Sequence, residues 1–458
     1  MKPLLTGYIR KIVDGALVQG TDMLPIQHGA YRLKQIRHPY TLLFLKRKLV
    51  KWERLKPFFP IAIITDRIFE VREYENDLTI IHVKNFDKAY WNFINDYRSQ
   101  INIPIVAVTG TSGKTTTKEM IRHLLSEHMT IAHTASTNNS RTAHLQYLLS
   151  IDEQTDAAVF ETAVGAPGDL TNAAAYLKPT IGIITNIGEH HLNYCKTIEG
   201  YIAAKGEIMK ALEPNGVLIV NADDERTQTL DLINFKGKLI TIGIDANCTF
   251  RASQVYYGVK GMYFTLHHKD ITECMFVPGL GVHQVYNALC AIAAALEIGM
   301  PLEQISERLK SFETLNKQLQ IIDGINGSTI IDDTWSLTTT SLKAAMHVLQ
   351  AVGHKKRKVA VIGTVTDLGS WGYIIHELAG DIIDEVGTDV LITIGKHARI
   401  MADRVKEIGK IKEVYAFNSE LLAIDLLKRI VDDQTIVLVK GDMYSKALKE
   451  VAVQLRKK

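Results

Sequence analysis

The chain has 458 residues, of which 46% are hydrophobic and 22% charged, and its 53 Lys and Arg nearly balance its 50 Asp and Glu. This composition excludes a chain that is mainly disordered. The small formal charge of +3 excludes a dedicated nucleic-acid binder, which carries a strong basic excess. At about 150 residues per domain, the length predicts about three domains.

The cysteines and the apolar runs limit where the protein works. The spacing of the cysteines gives no C-x-x-C pair, so neither a disulfide scaffold nor a structural zinc site is expected. The four are Cys195, Cys248, Cys274 and Cys290. The first apolar stretch is too short for a signal peptide, and no run reaches the roughly 18 apolar residues of a membrane helix. We therefore expect a cytoplasmic protein.

The first hundred residues have the least regular pattern. Strand-like runs lie at residues 41–45, 61–65 and 78–83, and a helical pattern follows at 86–97. Residues 46–56 form a basic run, which is either the solvated face of a helix or a binding surface for an anionic substrate. The sequence leaves both interpretations open.

The middle third alternates strands and helices. A buried strand at residues 103–110 leads through a glycine turn into a helix at 114–127, and further strands are predicted at 157–161, 180–186, 217–221 and 239–244. This alternation predicts a parallel sheet that helices cover on both faces. Short β-runs between residues 248 and 278 interrupt it, before a helix at 285–298.

The last third predicts a doubly wound α/β domain after a linker near residues 313–320. Five strand candidates, most of them followed by a helical stretch, lie within residues 328–335, 358–365, 390–395, 413–417 and 435–441. The helices include residues 341–350 and 444–455.

The strongest local motif is the phosphate loop G-T-S-G-K-T-T-T at residues 110–117. Its glycines let backbone N–H groups turn toward phosphate oxygens, and the helix that follows adds partial positive charge. Lys114 can reach the β- and γ-phosphates, and the Thr115 hydroxyl can bind Mg²⁺. The motif predicts ATP binding, but kinases, ATPases and ligases all use such a loop.

Four residues downstream have both a functional and a structural interpretation. Glu161 ends a strand, where it either binds Mg²⁺ or faces water, and His191 follows another strand end as a ligand or a structural histidine. Lys205 lies on a helix, where a surface lysine is the ordinary interpretation. Asn287 begins an apolar helix as a satisfied polar group or as a ligand contact.

The order of these motifs resembles that of the Mur ligase family, which includes folylpolyglutamate synthetase and cyanophycin synthetase. The matching segments are residues 110–119, N-N at 138–139, Glu161, T-N-I-G at 185–188 with H-L at 191–192, K-G-E-I at 205–208, N-A-D-D at 221–224, His283, and N-A at 287–288. The resemblance covers about residues 103–458. It is most similar to the branch that adds D-alanyl-D-alanine to a UDP-muramyl tripeptide.

The resemblance implies a role for each matching residue. The nucleotide would be held by Gly110, Thr111, Ser112, Gly113, Lys114, Thr115 and Thr116, with His283, Asn287 and Asp332. One Mg²⁺ would bind Thr115 and Glu161, and His191 would help to bind a second. Lys205 matches a lysine that family members often carry as a carbamate, and Asn138 and Asn139 would line the reaction centre.

The resemblance also implies an α/β architecture of three domains. Residues 1–100 would bind the acid substrate, residues 101–314 would form a P-loop ATPase domain with a parallel sheet, and residues 315–458 would form a Rossmann-like, amine-binding domain. The implied enzyme is a monomer that joins a small carboxylate to a small amine through an acyl phosphate, with ATP as co-substrate and ADP as product.

The two substrate-binding ends depart from the family pattern. Asn316-Lys317-Gln318-Leu319 stands where an arginine is usual, and lysine does not reproduce the bidentate contacts of a guanidinium. Residues 332–339 read D-D-T-W-S-L-T-T where the family branch has D-D-S-Y-N-A-N-P, and residues 440–443 read K-G-D-M where it has K-G-S-R. The D-S-R motif of the N-terminal domain is absent. His376 still fits the family histidine, with a helix-capping or core role as the alternative.

These departures leave several functions open. The leading hypothesis is a Mur-type ligase whose acid and amine differ from the muramyl-peptide pair, and the second is a divergent ligase for that pair. A regulatory protein that binds ATP without turnover is the alternative of another class, and a P-loop phosphotransferase is a further one. A ligase alone passes the phosphorylated intermediate on to an amine.

Overall fold

The structure is a computed structural model that describes residues 1–46, 50–67, 71–135, 143–190, 192–212 and 214–457. The chain divides into two compact units. The first comprises Met1–Ala107, His128–Ala163 and Asp169–Thr180, and the second comprises Val108–Glu127, Val164–Gly168 and Ile181–Lys458. In the described residues, no helix is both long and apolar enough to cross a membrane.

The N-terminal region forms a five-stranded sheet of order β2-β7-β6-β5-β4, in which β2 is antiparallel and the others are parallel. Its elements are β1 (Leu4–Leu5), α1 (Thr6–Ile12), β2 (Gly15–Gln19), β3 (Pro25–Ile26), β4 (His28–Ala30), β5 (Thr41–Phe44), β6 (Ile61–Thr65), β7 (Leu78–Val83) and α2 (Phe86–Ser99). The predicted strands at residues 41–45, 61–65 and 78–83 are confirmed within one residue, and the helix predicted over 86–97 begins at Phe86 and ends two residues later, at Ser99.

The physical basis of these elements is visible in the burial of their side chains. All five residues of β6 are buried, as expected for an apolar run inside a parallel sheet. Helix α2 begins where the Asn85 side chain accepts a hydrogen bond from the Lys88 backbone N–H at 3.0 Å. Its apolar face then packs Phe93 and Tyr97 into the core.

The central sheet has nine strands in the order β16-β15-β14-β13-β12-β11-β8-β10-β9. The strands are β8 (Ile105–Thr109), β9 (Ile131–His133), β10 (Ala157–Glu161), β11 (Ile181–Ile184), β12 (Val217–Asn221), β13 (Lys238–Gly243), β14 (Phe250–Tyr257), β15 (Gly261–His268) and β16 (Ile271–Pro278). The helices are α3 (Lys114–Leu125), α4 (His144–Leu149), α5 (Asp169–Leu177), α6 (Leu192–Cys195), α7 (Ile198–Leu212), α8 (Glu225–Gln228), α9 (Val282–Ile298) and α10 (Leu302–Lys310).

This sheet extends the parallel sheet of the prediction into a mixed one. The short β-runs at residues 248–278 do not leave the sheet, because β14 pairs parallel with β13 and then begins an antiparallel meander. Buried and exposed residues alternate along β15, which is typical of strands with one face on the core and one in water.

The C-terminal sheet has the order β17-β18-β22-β19-β20-β21. Its elements are β17 (Gln320–Asp323), β18 (Thr329–Asp333), α11 (Thr339–Val352), β19 (Arg357–Ile362), α12 (Gly372–Val386), β20 (Val390–Ile394), α13 (Ala398–Ile408), β21 (Glu413–Phe417), α14 (Glu420–Ile430), β22 (Thr435–Lys440) and α15 (Lys446–Gln454). The five predicted strands are present and parallel. The predicted linker runs directly into β17, an antiparallel edge strand that the sequence pattern did not indicate.

Candidate functional site

The phosphate loop lies between β8, which ends at Thr109, and α3, which begins at Lys114. Gly110 and Gly113 have positive φ angles of 145° and 82°, which other residues rarely adopt. The Lys114 ammonium donates to the Thr111 carbonyl at 3.0 Å, so the lysine side chain lies along the loop with which it is predicted to bind the phosphates.

The end of strand β11 holds this loop in shape. The Thr185 hydroxyl donates to the Ser112 carbonyl at 2.6 Å, and the Asn186 side-chain amide donates to the same oxygen at 3.0 Å. In return the Ser112 backbone N–H donates to the Asn186 side-chain oxygen at 3.0 Å. The T-N of the T-N-I-G motif therefore fixes the path of the loop.

Lys205 lies beneath the loop and not on the protein surface. Only 1% of the residue is exposed, its ammonium donates to the Gly110 carbonyl at 2.8 Å, and the Thr109 hydroxyl lies at 3.4 Å. The ammonium also lies 4.8 Å from the centre of the Tyr201 ring. The ordinary interpretation of a helical lysine as a surface residue is therefore wrong here.

The start of helix α9 packs against the loop. The Asn287 side-chain oxygen accepts a hydrogen bond from the Thr117 hydroxyl at 3.3 Å, and a Cβ atom at Gly113 would lie only 2.4 Å from that oxygen. One turn earlier, His283 has a buried Nδ1 with no hydrogen-bond partner in the described part of the chain. Burial, aided by the charge of Lys440, lowers the pKa of His283 to about 4, so its imidazole is neutral at physiological pH.

The C-terminal region supplies the opposite side of this site. The Thr116 hydroxyl donates to the Gln318 side-chain oxygen at 3.0 Å, so Gln318 contacts the helix of the phosphate loop from the position where the family arginine is usual. The hydroxyls of Ser112 and Thr338 lie 3.2 Å apart. Thr338 is the N-cap of α11, and it accepts from the Ser341 backbone N–H.

A buried carboxylate, Glu189, links the loop after β11 to helix α11. It accepts a hydrogen bond from the Thr339 hydroxyl at 2.5 Å and is ion-paired with Arg226. Burial acts to raise the pKa of Glu189, but the bonds from Arg226 and Thr339 outweigh it, and the net pKa lies below the ordinary value. Glu189 is therefore charged at neutral pH.

The two aspartates that end β18 are both engaged. The Asp333 carboxylate accepts from the Lys440 ammonium at 2.5 Å, and the pair is almost completely buried. The Asp332 carboxylate accepts from Arg456 at 2.8 Å and from the Thr334 hydroxyl at 2.7 Å. Burial raises the pKa of Asp333 although the neighbouring lysine acts to lower it.

A cavity of about 950 Å³ lies between these elements. The predicted nucleotide residues that line it are Ser112, Gly113, Thr116, His283 and Asn287. Gly110, Thr111, Lys114 and Thr115 belong to the same loop and helix start. Asp333, and not the predicted Asp332, is among the described residues that line the cavity. A volume of this size can hold a nucleotide.

The predicted metal ligands are placed only in part. Thr115 is the second residue of α3, and Glu161 is a buried residue at the end of β10 whose backbone N–H donates to Thr134. A hydroxyl and a carboxylate are hard oxygen donors that suit Mg²⁺. His191, Asn138 and Asn139 lie outside the described residues.

The ammonium of Lys205 cannot bind a cation, whereas a carbamate on it could. The described residues contain no group of three His, Cys, Asp or Glu side chains that could hold a metal ion.

Sequence reasoning missed three residues of this site. Glu189 stands between the T-N-I-G and H-L motifs, so its position was a signal, but its partners Thr339 and Arg226 are distant in sequence. Gln318 drew attention only as the replacement of an arginine. Thr338 was not singled out, since the helix was predicted from residue 341, whereas α11 begins at Thr339 with Thr338 as its N-cap.

Comparison with known proteins agrees with the motif order. The profile of the Mur ligase middle domain matches residues 108–295, and that of the Mur ligase glutamate ligase domain matches residues 319–443. The UDP-N-acetylmuramoyl-tripeptide--D-alanyl-D-alanine ligase of Bacillus subtilis (strain 168) is 29% identical over 342 residues, which cover 75% of this chain and 73% of the relative. The ligase of the same name from Escherichia coli (strain K12) is 28% identical over 396 residues, which cover 84% of each chain.

A solved structure shows the same fold. The crystal structure I of MurF from Acinetobacter baumannii matches with a TM-score of 0.85 at 22% identity, over 99% of both chains. Three sheets with a phosphate loop on the central one are the architecture that the two chains share. The chain belongs to the Mur ligase family, and it is an ATP-dependent, ADP-forming ligase of that family.

Proposed function

We propose that this ligase joins a small carboxylate and a small amine that differ from the UDP-muramyl tripeptide and D-alanyl-D-alanine. An oxygen of the acid attacks the γ-phosphorus of ATP, and the bond from that phosphorus to ADP breaks. The amine nitrogen then attacks the acyl carbon, loses a proton, and phosphate leaves. Holding the three reactants together supplies much of the rate.

The nucleotide end of the site has a role for each predicted residue. Lys114 and the amides of residues 110–116 would hold the phosphates. Thr115 and Glu161 are the predicted ligands of Mg²⁺, which would neutralise charge as it develops. Asn287 and His283 face the nucleotide, and Asp332 is the predicted ribose contact, with the cavity-lining Asp333 as its alternative.

The remaining roles concern the second metal and the reaction centre. By the family motifs alone, His191 would contribute to a second Mg²⁺, and Asn138 with Asn139 would line the reaction centre. Lys205 acts as a carbamate. Its burial beneath the phosphate loop, with the amine 2.8 Å from the Gly110 carbonyl, supports this role, because a carbamate there would add an anionic oxygen donor of the kind that Mg²⁺ prefers.

The observation that carries the choice of substrate is the set of contacts made by the polar side chains of residues 332–339. In the family branch this segment reads D-D-S-Y-N-A-N-P, with side-chain amides that can bind a ligand. Here Asp333 is ion-paired with Lys440, and Asp332 with Arg456. The Thr338 hydroxyl contacts Ser112, and the Thr339 hydroxyl donates to Glu189. These polar groups therefore bind other residues of the chain, which supports an amine substrate different from D-alanyl-D-alanine.

A second candidate is the muramyl-peptide reaction itself. Relatives named for that reaction are 28–29% identical over as much as 84% of the chain. Such a likeness is compatible with a divergent enzyme for the same reaction. For either candidate we propose a cytoplasmic monomer. Light scattering near 51.2 kDa is the expected result for the monomer.

One experiment separates the candidates. The purified chain is given Mg²⁺-ATP with UDP-muramyl tripeptide and D-alanyl-D-alanine, and then with a panel of other acids and amines, while ADP and phosphate are quantified and mass spectrometry detects a new amide. Turnover with the muramyl pair overturns the proposal in favour of the second candidate. An amide from another pair, lost in Lys114→Ala, supports it.

A further inference from the structure

The N-A-D-D motif at residues 221–224 lies directly after strand β12, which ends at Asn221. Asn221, Asp223 and Asp224 all line the cavity of about 950 Å³, yet no step of the proposed reaction uses either aspartate. The Asp223 backbone N–H donates to the Asn221 side-chain oxygen at 3.0 Å, so the turn that carries Asp223 is fixed to the strand end. The central sheet therefore sets the position of the Asp223 carboxylate.

The Asp223 carboxylate accepts four hydrogen bonds from two different elements. Three come from the backbone N–H groups of Ile244, Asp245 and Ala246, at 2.6, 3.2 and 2.7 Å. The fourth comes from the Tyr286 hydroxyl, at 2.8 Å. One carboxylate thus joins the end of β12 to the loop that follows β13 and to the first turns of α9.

Both groups of the contact between Asp223 and Tyr286 are in the protonation state that the hydrogen bond requires. Burial acts to raise the pKa of Asp223, but the bonds from the Ile244 N–H and the Tyr286 hydroxyl outweigh it, and the net pKa lies below the ordinary value. Burial and the bond to Asp223 raise the pKa of Tyr286 far above its ordinary value. The phenol therefore donates to a charged carboxylate, and such a bond is stronger than one between neutral groups.

The Asp223 carboxylate fits closely against the neighbouring strand. A Cβ atom at Gly243, the last residue of β13, would lie only 3.0 Å from its Oδ1 atom. Three successive backbone N–H groups, at residues 244–246, turn toward this carboxylate as they do in turns that bind anions. Because an N–H group without a partner is costly, the loop has to rearrange if the carboxylate is removed.

The groups that Asp223 holds in place line the nucleotide cavity themselves. Asp245 and Tyr286 are lining residues, and Asn287, which follows Tyr286 on α9, packs against the phosphate loop. The carboxylates of Asp223 and Asp245 repel phosphates, whereas the loop amides and Lys114 attract them. This side of the cavity therefore suits the nucleoside, which is uncharged and carries hydroxyl and amine donors.

We propose that Asp223 is a positioning residue for the nucleotide. It fixes the loop at residues 244–246 and the Tyr286 end of α9, and it thereby shapes the side of the cavity that contacts the nucleoside. The adjacent Asp224 holds a different segment, since it accepts from the Ile187 backbone N–H at 3.1 Å. The inference concerns nucleotide binding, and it holds whichever acid and amine react.

The first test measures the affinity of the full chain for Mg²⁺-ADP by calorimetry. Asp223→Ala is expected to raise the dissociation constant at least about tenfold, because the loop and the end of α9 lose their common acceptor. Tyr286→Phe removes one of the four hydrogen bonds and keeps the ring, so a rise of about threefold is expected. Asp223→Asn keeps one acceptor oxygen and should fall between these two variants.

Asp432→Ala is the matched control, because it also removes a carboxylate that holds a turn. Asp432 accepts from the Gln434 backbone N–H at 3.1 Å and from the Thr435 hydroxyl at 2.6 Å, and it is not among the described residues that line the cavity. Its removal should change the dissociation constant less than about twofold. A merely structural role of Asp223 would lower the melting temperature and the number of binding sites per chain in both variants, with the dissociation constant unchanged.

Inorganic tripolyphosphate with Mg²⁺ shows which part of the nucleotide is affected. Its affinity should change less than about twofold in Asp223→Ala, because tripolyphosphate has no nucleoside. Equal weakening of ADP and tripolyphosphate would mean that Asp223 acts through the phosphate loop, which overturns the assignment to the nucleoside side.

Hydrogen exchange followed by mass spectrometry tests the contact itself. In Asp223→Ala the amides of residues 244–246 should exchange at least about tenfold faster, while those of strand β8 keep the wild-type rate. Unchanged exchange at residues 244–246, or faster exchange with an unchanged affinity for ADP, overturns the proposal. If Asp223→Ala does not fold, the milder variants Asp223→Asn and Tyr286→Phe decide, and unchanged affinity in both overturns it.

Discussion

Gly113 is the residue at which the phosphate loop enters helix α3, and the structure leaves no space for a side chain there. Its φ of 82° disfavours any Cβ, and Asn287 would lie 2.4 Å from one. We expect Gly113→Ala to weaken ATP binding at least about tenfold, since a strain of 1–2 kcal/mol must be relieved by moving the loop. Calorimetry with Mg²⁺-ADP measures this directly.

Gly299 provides the matched control for that change. It also has a positive φ, of 105°, but no atom lies within 4 Å of a Cβ there, at the end of α9. Gly299→Ala should therefore lower stability by about 1 kcal/mol without changing nucleotide affinity. Equal loss of affinity in both variants would contradict the role assigned to the contact with Asn287.

His283 makes a second prediction at this scale, on pH dependence. Because burial lowers the pKa of His283 from its ordinary value of 6.5 to about 4, the unfolded chain takes up a proton before the folded chain does as the pH falls. Stability is thus unaffected above pH 6.5 and decreases between pH 6.5 and 4. A shift of this size corresponds to about 3 kcal/mol over the whole window.

Urea unfolding at pH 7 and pH 5 checks the sign. His283→Gln should lose about 2 kcal/mol less than the wild type between these two values, because glutamine does not titrate. The exposed His354→Gln serves as the control and should keep the wild-type slope. Identical slopes for His283→Gln and the wild type would rule out a buried neutral histidine.

Single residues also show where sequence reasoning stops. The glycine–lysine–threonine pattern located the phosphate loop, because those residue types are needed in that order along the chain. Lys205 carries no such local signal, since a lysine on a helix looks the same whether it faces water or lies under the Gly110 carbonyl. Gln318 could be noticed as a departure, but its contact with Thr116 depends on two segments about 200 residues apart.

At the scale of elements, the link between the loop after β11 and helix α11 gives the third prediction. Glu189 has a lowered pKa, so the stability that it contributes is present above the unfolded value near 4.5 and is lost as the pH falls through the folded value. Glu189→Gln should cost about 2 kcal/mol at pH 7, where the variant loses the ion pair with Arg226.

The pH profile distinguishes this link from a general loss of charge. The difference between Glu189→Gln and the wild type should begin to shrink below pH 4.5, where Glu189 of the unfolded chain takes up a proton while the folded chain still holds it charged, and urea unfolding at pH 7 and 3.5 measures this. Glu75→Gln removes an exposed carboxylate and should leave stability within about 0.5 kcal/mol. A pH-independent cost for Glu189→Gln would exclude the charged link.

The elements that could be predicted from the sequence are those with strong local patterns. Strands β6, β10 and β12 are continuous apolar runs between turns, and the predicted bounds agree with the structure. Strand β17 and the short strands before residue 30 were missed, because two to five residues of mixed character carry little periodicity. The meander after β13 was seen as β-runs, but its place in the central sheet depends on pairing and not on local pattern.

At the scale of the whole molecule, the first compact unit is assembled from three separate parts of the chain. Its core unites residues of β6 and α2 with residues of α4 and α5, among them Leu148 and Leu177. Buried hydrogen bonds cross the same divide: Tyr97 donates to the Ile151 carbonyl at 2.6 Å, and Arg98 donates to the Leu177 carbonyl at 2.7 Å. A domain boundary near residue 100, as the sequence suggests, would separate these partners.

The last prediction follows from that core. A fragment of residues 1–102 loses α4 and α5, which exposes apolar side chains whose burial is worth about 2–5 kcal/mol each, and the sum exceeds the usual 5–15 kcal/mol of a domain. We expect the fragment to lack a cooperative urea transition and a native near-ultraviolet circular dichroism spectrum. A fragment of residues 1–180, which restores both helices, should recover the aromatic signal because Tyr176 again bonds Tyr90. Cooperative unfolding of the shorter fragment, with the aromatic spectrum of the longer one, would show that the N-terminal sheet is stable without α4 and α5.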